Sequence, residues 1–267
     1  MKIWTATAFN TAPDSENQIH GDELAKKYGF EGGLVPGTTI SAYLAHPIIE
    51  FWGKDWLDRG YANFYITSPL YDNEKFKVVT KQQRENHFNT NLIRENGVCS
   101  ANAEMSLPKV IPEPPILRKD DFAKSDFLAP IATKEVWENL KDNGCRAFKY
   151  NWEINNPLIY LKDPNLMPEI LQPNKGGYSN LCFLLGCSNW VLAGNGYMNP
   201  WVHLSTSSQN YKAVPMGTNL ITEMEINRVF EKKGHEFIDV NVNLFDENDA
   251  SCVMSINLVA IYKLRGA

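Results

Sequence analysis

Between residues 14 and 38 the chain gathers Asp14, Ser15, Asn17, His20 and Asp22 ahead of a Gly-Gly-Leu-Val-Pro-Gly run. An imidazole with carboxylates a few positions away is the combination that moves protons near neutral pH. Asn17, His20 and Asp22 are two or three positions apart, so irregular backbone could turn all three toward one cavity. Each also has a plainer use. His20 could simply hydrogen-bond backbone in a loop, Asn17 and Asp14 are good turn residues, and Asp22 suits the N-cap of a helix over residues 23–28.

These residues sit just upstream of an apolar helix expected over residues 38–51, with Pro36 well placed at its first turn. Ile40, Tyr43, Leu44, Ile48 and Phe51 follow helical spacing, and Pro47 predicts a kink or an early end. Before it, residues 2–10 alternate as a strand, and residues 22–28 form a short helix closed by Gly29. After it, residues 61–67, 75–84, 90–95 and 98–106 read as strands separated by turns, among them Asn96-Gly97. Pro108, Pro112, Pro114 and Pro115 then forbid an ordered central strand and mark a semi-rigid connector. The pattern restarts with a helix at 133–140, a strand at 146–154 and a second apolar helix at 178–192. Strands at 201–205, 218–230, 236–245 and 252–264 follow. The halves repeat one order of strand, long helix and antiparallel strands, and residues 68–74 echo 212–218 ahead of a long strand. This gives an α+β chain of three parts: 1–107, a linker at 108–130, and 131–267.

Composition narrows the function. The 267 residues carry a net charge of −5 and are 43% hydrophobic. That balance, with no Lys/Arg-rich run, argues against a nucleic-acid partner. No stretch reaches the roughly 20 apolar residues that span a bilayer, and no leader opens the chain. Five scattered cysteines without a Cys-x-x-Cys pair fit reduced thiols, so a cytoplasmic protein is expected. His20, Asp22 and His203 lack a metal-binding spacing, and Gly32-Gly33 with Gly37 lacks a nucleotide-binding pattern, so neither metal nor cofactor is expected. His203, beside the second helix, could face a cavity between the halves or be a satisfied strand residue. His46 reads as structural, and Cys182 and Cys187 as small buried residues of an apolar helix.

Over Asn17 to Tyr43 the sequence resembles the hydratase motif of the MaoC-like double hot-dog family. The family form is Asp-x-Asn-Pro-x-His-x-Asp, then Ala-x-x-x-Gly-Phe, then a glycine ahead of the central helix. His20 and Asn17 match its histidine and asparagine, Asp22 its second acidic position, Gly29-Phe30 its Gly-Phe pair, and Gly37 its helix glycine. Ser15 stands where the family has its catalytic aspartate, Asp14 is one residue early, and Gln18 replaces the proline. The resemblance implies two tandem hot-dog units, each an antiparallel sheet wrapped around a long helix. It implies an acyl-CoA or acyl-carrier-protein thioester as substrate, with no cofactor, and reversible hydration of a 2-enoyl thioester. His20, Asp14 and Asn17 would then be catalytic. Ser15, Asp22, Val35, Gly37, Thr38 and His203 would contact substrate, with backbone N–H groups around Val35 to Thr38 holding the developing enolate oxygen. A hot-dog thioesterase and a non-catalytic acyl-thioester-binding protein are the alternatives, and a homodimer is a further expectation.

Overall fold

The computed structural model describes residues 1–153 and 157–266. Its first half runs β1 (Lys2–Thr7), α1 (Asp22–Lys27), α2 (Gly37–Trp52), α3 (Lys54–Arg59), β2 (Tyr61–Ile66), β3 (Lys75–Arg84), β4 (His87–Arg94) and β5 (Cys99–Ser106). The second half runs α4 (Lys134–Asn143), β6 (Phe148–Asn151), α5 (Leu181–Asn195), β7 (Val202–Asn210), β8 (Asn219–Lys232), β9 (His235–Asp246) and β10 (Cys252–Lys263).

The strands form one ten-stranded sheet in the order β1-β3-β4-β5-β2-β7-β10-β9-β8-β6. Read outward from its centre, each half repeats the same connectivity, which is the pattern a duplicated unit leaves. The halves join where β2 pairs antiparallel with β7, from Tyr61 opposite Gln209 to Tyr65 opposite Ser205. Tight turns with positive φ at Asn86, Lys233 and Gly234 close the β3–β4 and β8–β9 hairpins in the hand that strand twist favours.

Both long helices lie against this sheet and against each other. Every residue of α2 from Thr38 to Ile49 is buried, as is every residue of α5 from Leu181 to Ser188. Helices apolar all round belong in a core, and one cluster joins Tyr43, Leu44 and Ile48 to Leu181, Leu185 and Leu192. That burial explains why α2 runs past Pro47 to Trp52 instead of ending there. A proline within a helix removes one backbone bond at a cost of about 3 kcal/mol, which packing on all sides can outweigh. The second helix starts at Leu181 and not at residue 178, because Asn180 Oδ1 caps it by accepting the N–H of Phe183 at 3.2 Å. The expected strand over residues 146–154 is observed only as Phe148–Asn151, with Ile154 outside the described residues. Helix α3 was not expected, since Gly53 looked like the end of the preceding element.

The proline-rich segment is strapped to the second half. Glu223 on β8, buried, accepts the backbone N–H groups of Arg118 and Asp120, both at 2.9 Å. Arg118 forms ion pairs with Asp120 and Glu225. Glu223→Ala should leave both N–H groups unpaired, lowering unfolding free energy by roughly 1–3 kcal/mol and speeding limited proteolysis between residues 108 and 121. Unchanged cleavage and unchanged melting would show that the strap does not hold.

Candidate functional site

The segment carrying His20 is laced to the loop that follows it. Leu34 N–H donates to the Ile19 carbonyl at 3.0 Å, Gly33 N–H to the Asp22 carboxylate at 2.7 Å, and the Asn10 amide to the His20 carbonyl at 2.9 Å. Gly33 is required for this approach, because a Cβ there would lie 2.3 Å from the His20 carbonyl oxygen. His20 Nδ1 lies 2.7 Å from the Leu34 carbonyl, which can only accept, so Nδ1 carries the proton. The neutral ring then presents Nε2 as a proton acceptor with no partner among the described residues. Burial lowers the pKa of His20 below its usual 6.5, opposed by the bond to Leu34, so the neutral form is held at and somewhat below neutral pH.

The ring of His20 borders two cavities, one of about 170 Å³ and one of about 690 Å³. Asn17, His20, Pro36, Asn189 and Trp201 line both, and so mark their junction. The smaller cavity is walled mainly by apolar side chains such as Phe30, Ile66, Leu70 and Leu204. The larger reaches Phe127, Leu128 and Ala129 of the connector and α5. No Lys or Arg lines either one, and Glu16 is the single carboxylate among the residues that do.

The amino end of α2 enters at this junction. Pro36 is its N-cap and offers no side-chain bond. Thr39 and Ile40 N–H groups donate to the Pro36 carbonyl, while those of Gly37 and Thr38 have no protein partner among the described residues. Two unpaired N–H groups at a positive helix end form a ready acceptor site for a developing oxyanion. Gly37 brings this end against the second half. A Cβ on it would lie 2.6 Å from Ile66 Cδ1 and 3.0 Å from the His203 ring.

His203 is buried on β7 and borders the smaller cavity, as one of its two sequence readings had it. Both its ring nitrogens are engaged. Nδ1 lies 3.1 Å from Asn189 Oδ1, and Nε2 makes a short bond with the Thr206 hydroxyl. Burial drives its pKa down to about 4. It is a neutral, satisfied ring and not a free base.

The remaining expected residues separate. Asn17 is committed to structure, its amide donating to the Trp201 carbonyl at 3.0 Å and accepting the Trp201 N–H at 3.2 Å. That pairing clamps the two halves at the junction and uses one N–H and one lone pair of the Asn17 amide, which also lines both cavities. Asp14 is exposed and lines neither cavity. Asp22 is exposed at the first position of α1, where Gly21 is the N-cap, and its carboxylate pins Gly33. Ser15 is exposed at the rim of the larger cavity and donates to the Asn17 carbonyl at 3.2 Å. Val35 lines the smaller cavity and Thr38 the larger. Sequence reasoning missed Glu16 and Asn189, and took Trp201 for one of several aromatics that serve a core or line a tunnel. Only the Asn189-Trp190 pair on an otherwise apolar helix hinted at the second.

Solved structures share this architecture across nearly the whole chain. A Mycobacterium tuberculosis protein described as having a double hotdog fold matches with TM-score 0.57 at 10% identity, over 97% of this chain and 95% of its own.

The fold is a double hot-dog.

A protein described as a MaoC-like dehydratase aligns over 98% of both chains at 9% identity and TM-score 0.57. A protein from Novosphingobium aromaticivorans described as a putative thioesterase matches over 87% of this chain and 89% of its own, at 14% identity and TM-score 0.51. No family model matches the sequence, and no curated protein does. At these identities the likeness is one of fold, and this double hot-dog must be read for chemistry from its own side chains. Among the described residues, no helix is long and apolar enough to cross a membrane.

The neutral His203 has a consequence for stability. Its pKa is about 6.5 unfolded and about 4 folded, so between those pH values the unfolded chain binds the extra proton. Stability should therefore fall as pH drops from 6.5 toward 4, by on the order of 3 kcal/mol from this group, and level off below. His46, also buried with its pKa near 4, acts in the same sense. Urea unfolding at stepped pH should show a shallower acid dependence in His203→Gln than in the wild type. Identical slopes would contradict the buried neutral ring.

Proposed function

We propose that this double hot-dog protein is an acyl-thioester hydratase or dehydratase, adding or removing water at a 2-enoyl thioester. The observation that carries the reading is the pairing of a free imidazole nitrogen, His20 Nε2, with the unpaired N–H groups of Gly37 and Thr38 at one junction. The ligand stretch suited to both cavities is uncharged, as an acyl group and the arm joined to its sulfur are. The phosphates of a coenzyme A or acyl-carrier substrate would lie outside, since no cation lines the walls. Five free cysteines suit action in a reducing cytoplasm.

In the hydration direction, His20 Nε2 takes a proton from water as the water oxygen bonds to C3 of the enoyl group. The C2–C3 π pair shifts toward the carbonyl, and the negative charge gathers on its oxygen against the Gly37 and Thr38 N–H groups. The imidazolium then returns its proton to C2, so one molecule of water is added in full. Asn17 acts by holding this loop against Trp201, and neither Asp14 nor Asp22 has a part in the step.

The alternative is thioester hydrolysis, with the same activated water attacking the carbonyl carbon. Among the described residues that line both cavities, His20 is the single titratable group, which favours it because a lone base serves for that attack. Incubation with crotonyl-CoA, following enoyl absorbance and free thiol together, separates the two. Loss of the alkene without thiol is the expected result, thiol release would replace hydration with hydrolysis, and binding without turnover would leave a non-catalytic binder. His20→Ala should lower kcat/KM by roughly 10²–10⁴-fold. The wild-type rate should fall on the acid side of the lowered His20 pKa, below about 6.5, as the base takes up its proton. An unaltered rate in His20→Ala would remove the assignment.

A further inference from the structure

Asn189 lies on α5, in the opposite half from His20, and lines both cavities at their junction. Its Oδ1 is taken by the Nδ1–H of His203, whose Nε2 in turn accepts from the Thr206 hydroxyl. The structure sets the Asn189 amide oxygen against Nδ1, and an amide oxygen can only accept, so Nδ1 carries the proton and Nε2 of the neutral ring accepts from the Thr206 hydroxyl. The Nδ2 of Asn189 is thereby turned away from His203. It has no partner among the described residues, and it is not among the buried polar atoms left unpaired, so it opens into the cavity space. The chain from Thr206 to His203 to Asn189 is thus a three-residue device whose free end is an oriented N–H donor. Burial keeps the His203 ring neutral, and Gly37 at the start of α2 packs directly against it.

We propose that Asn189 is a substrate-binding residue whose Nδ2–H donates to the thioester carbonyl oxygen, beside the Gly37 and Thr38 N–H groups, with His203 and Thr206 as positioning residues that hold its amide. The proposal rests on the thioester reading of the junction. It makes the oxyanion site a composite, with backbone donors from the first half and a side-chain donor from the second. Neither half would carry a complete site alone, which gives the retained second half a chemical role besides its structural one.

The test is a double-mutant cycle on the full chain. Asn189→Ala should reduce kcat for crotonyl-CoA by about 10²-fold with KM little changed, as loss of an oxyanion donor does. Asn189→Asp, which keeps the shape and the bond to His203 but replaces the donor by an acceptor, should lose at least as much. Thr206→Val should cost about tenfold alone and nothing further in the Asn189→Ala background, since it acts only through that amide. Additive losses, or a raised KM with kcat intact, would reduce the device to a packing role and overturn the proposal. Failure of the underlying reading looks different. If the wild type leaves crotonyl-CoA untouched, calorimetric binding of butyryl-CoA takes its place as readout. Weaker binding by Asn189→Ala and Asn189→Asp, undone by no change at Thr206, then sustains the donor, and equal binding by all variants overturns it.

Discussion

The constraint on which the site depends is that the first N–H groups of a helix need acceptors, and α2 supplies none for itself. Its counterpart α5 solves the same problem with Asn180, whose side chain closes the first turn. Helix α2 begins at Pro36, which has no such group, and its end is buried between two halves and not in bulk water. Unpaired donors in a low-dielectric setting are costly unless something negative or polar comes to meet them. A carbonyl oxygen gaining charge during reaction is the partner such an end favours most. That asymmetry between the two long helices is what places the proposed acceptor site in the first half.

Everything at the junction is arranged around that end. The β2–β7 pairing brings the halves into one sheet, and the Asn17–Trp201 amide pairing ties the His20 loop to the start of β7. Glycine at 37 lets the His203 ring lie against the helix, and glycine at 33 lets the loop close on His20. Burial lowers the pKa of both histidines, but their ring nitrogens are engaged differently. His20 keeps one nitrogen free by giving its proton to a backbone carbonyl, whereas His203 has both nitrogens taken and serves to orient a neighbour. Residue type alone could not have separated these roles.

Much of the architecture was legible in the sequence because it rests on periodicity. Alternation marked most of the strands, the Asn96-Gly97 turn marked a hairpin, and continuous apolar runs marked the two core helices. The errors have local causes. Pro47 was overruled by tertiary packing, and the Asn180 cap moved the start of α5. At the proposed site, motif matching pointed to His20, Gly37 and the helix end, which are close in sequence. It left Asn17 between a turn residue and a ligand contact, and the bonds of its amide to Trp201, 184 positions away, are ones no local pattern can disclose. Asn189 was missed for the same reason, since its meaning comes from His203 and Thr206 across the fold. Ser15, at the position of the family aspartate, sits exposed at the cavity rim and donates to the Asn17 carbonyl.

The central claim is that a thioester carbonyl docks on the open end of α2. The infrared carbonyl stretch of butyryl-CoA labelled with carbon-13 at that carbon, taken as a difference spectrum on binding, reads this directly. Donors converging on the oxygen should move the band to lower frequency than in water. A band at its aqueous position, or one moved to higher frequency as in a dry apolar slot, would contradict the account.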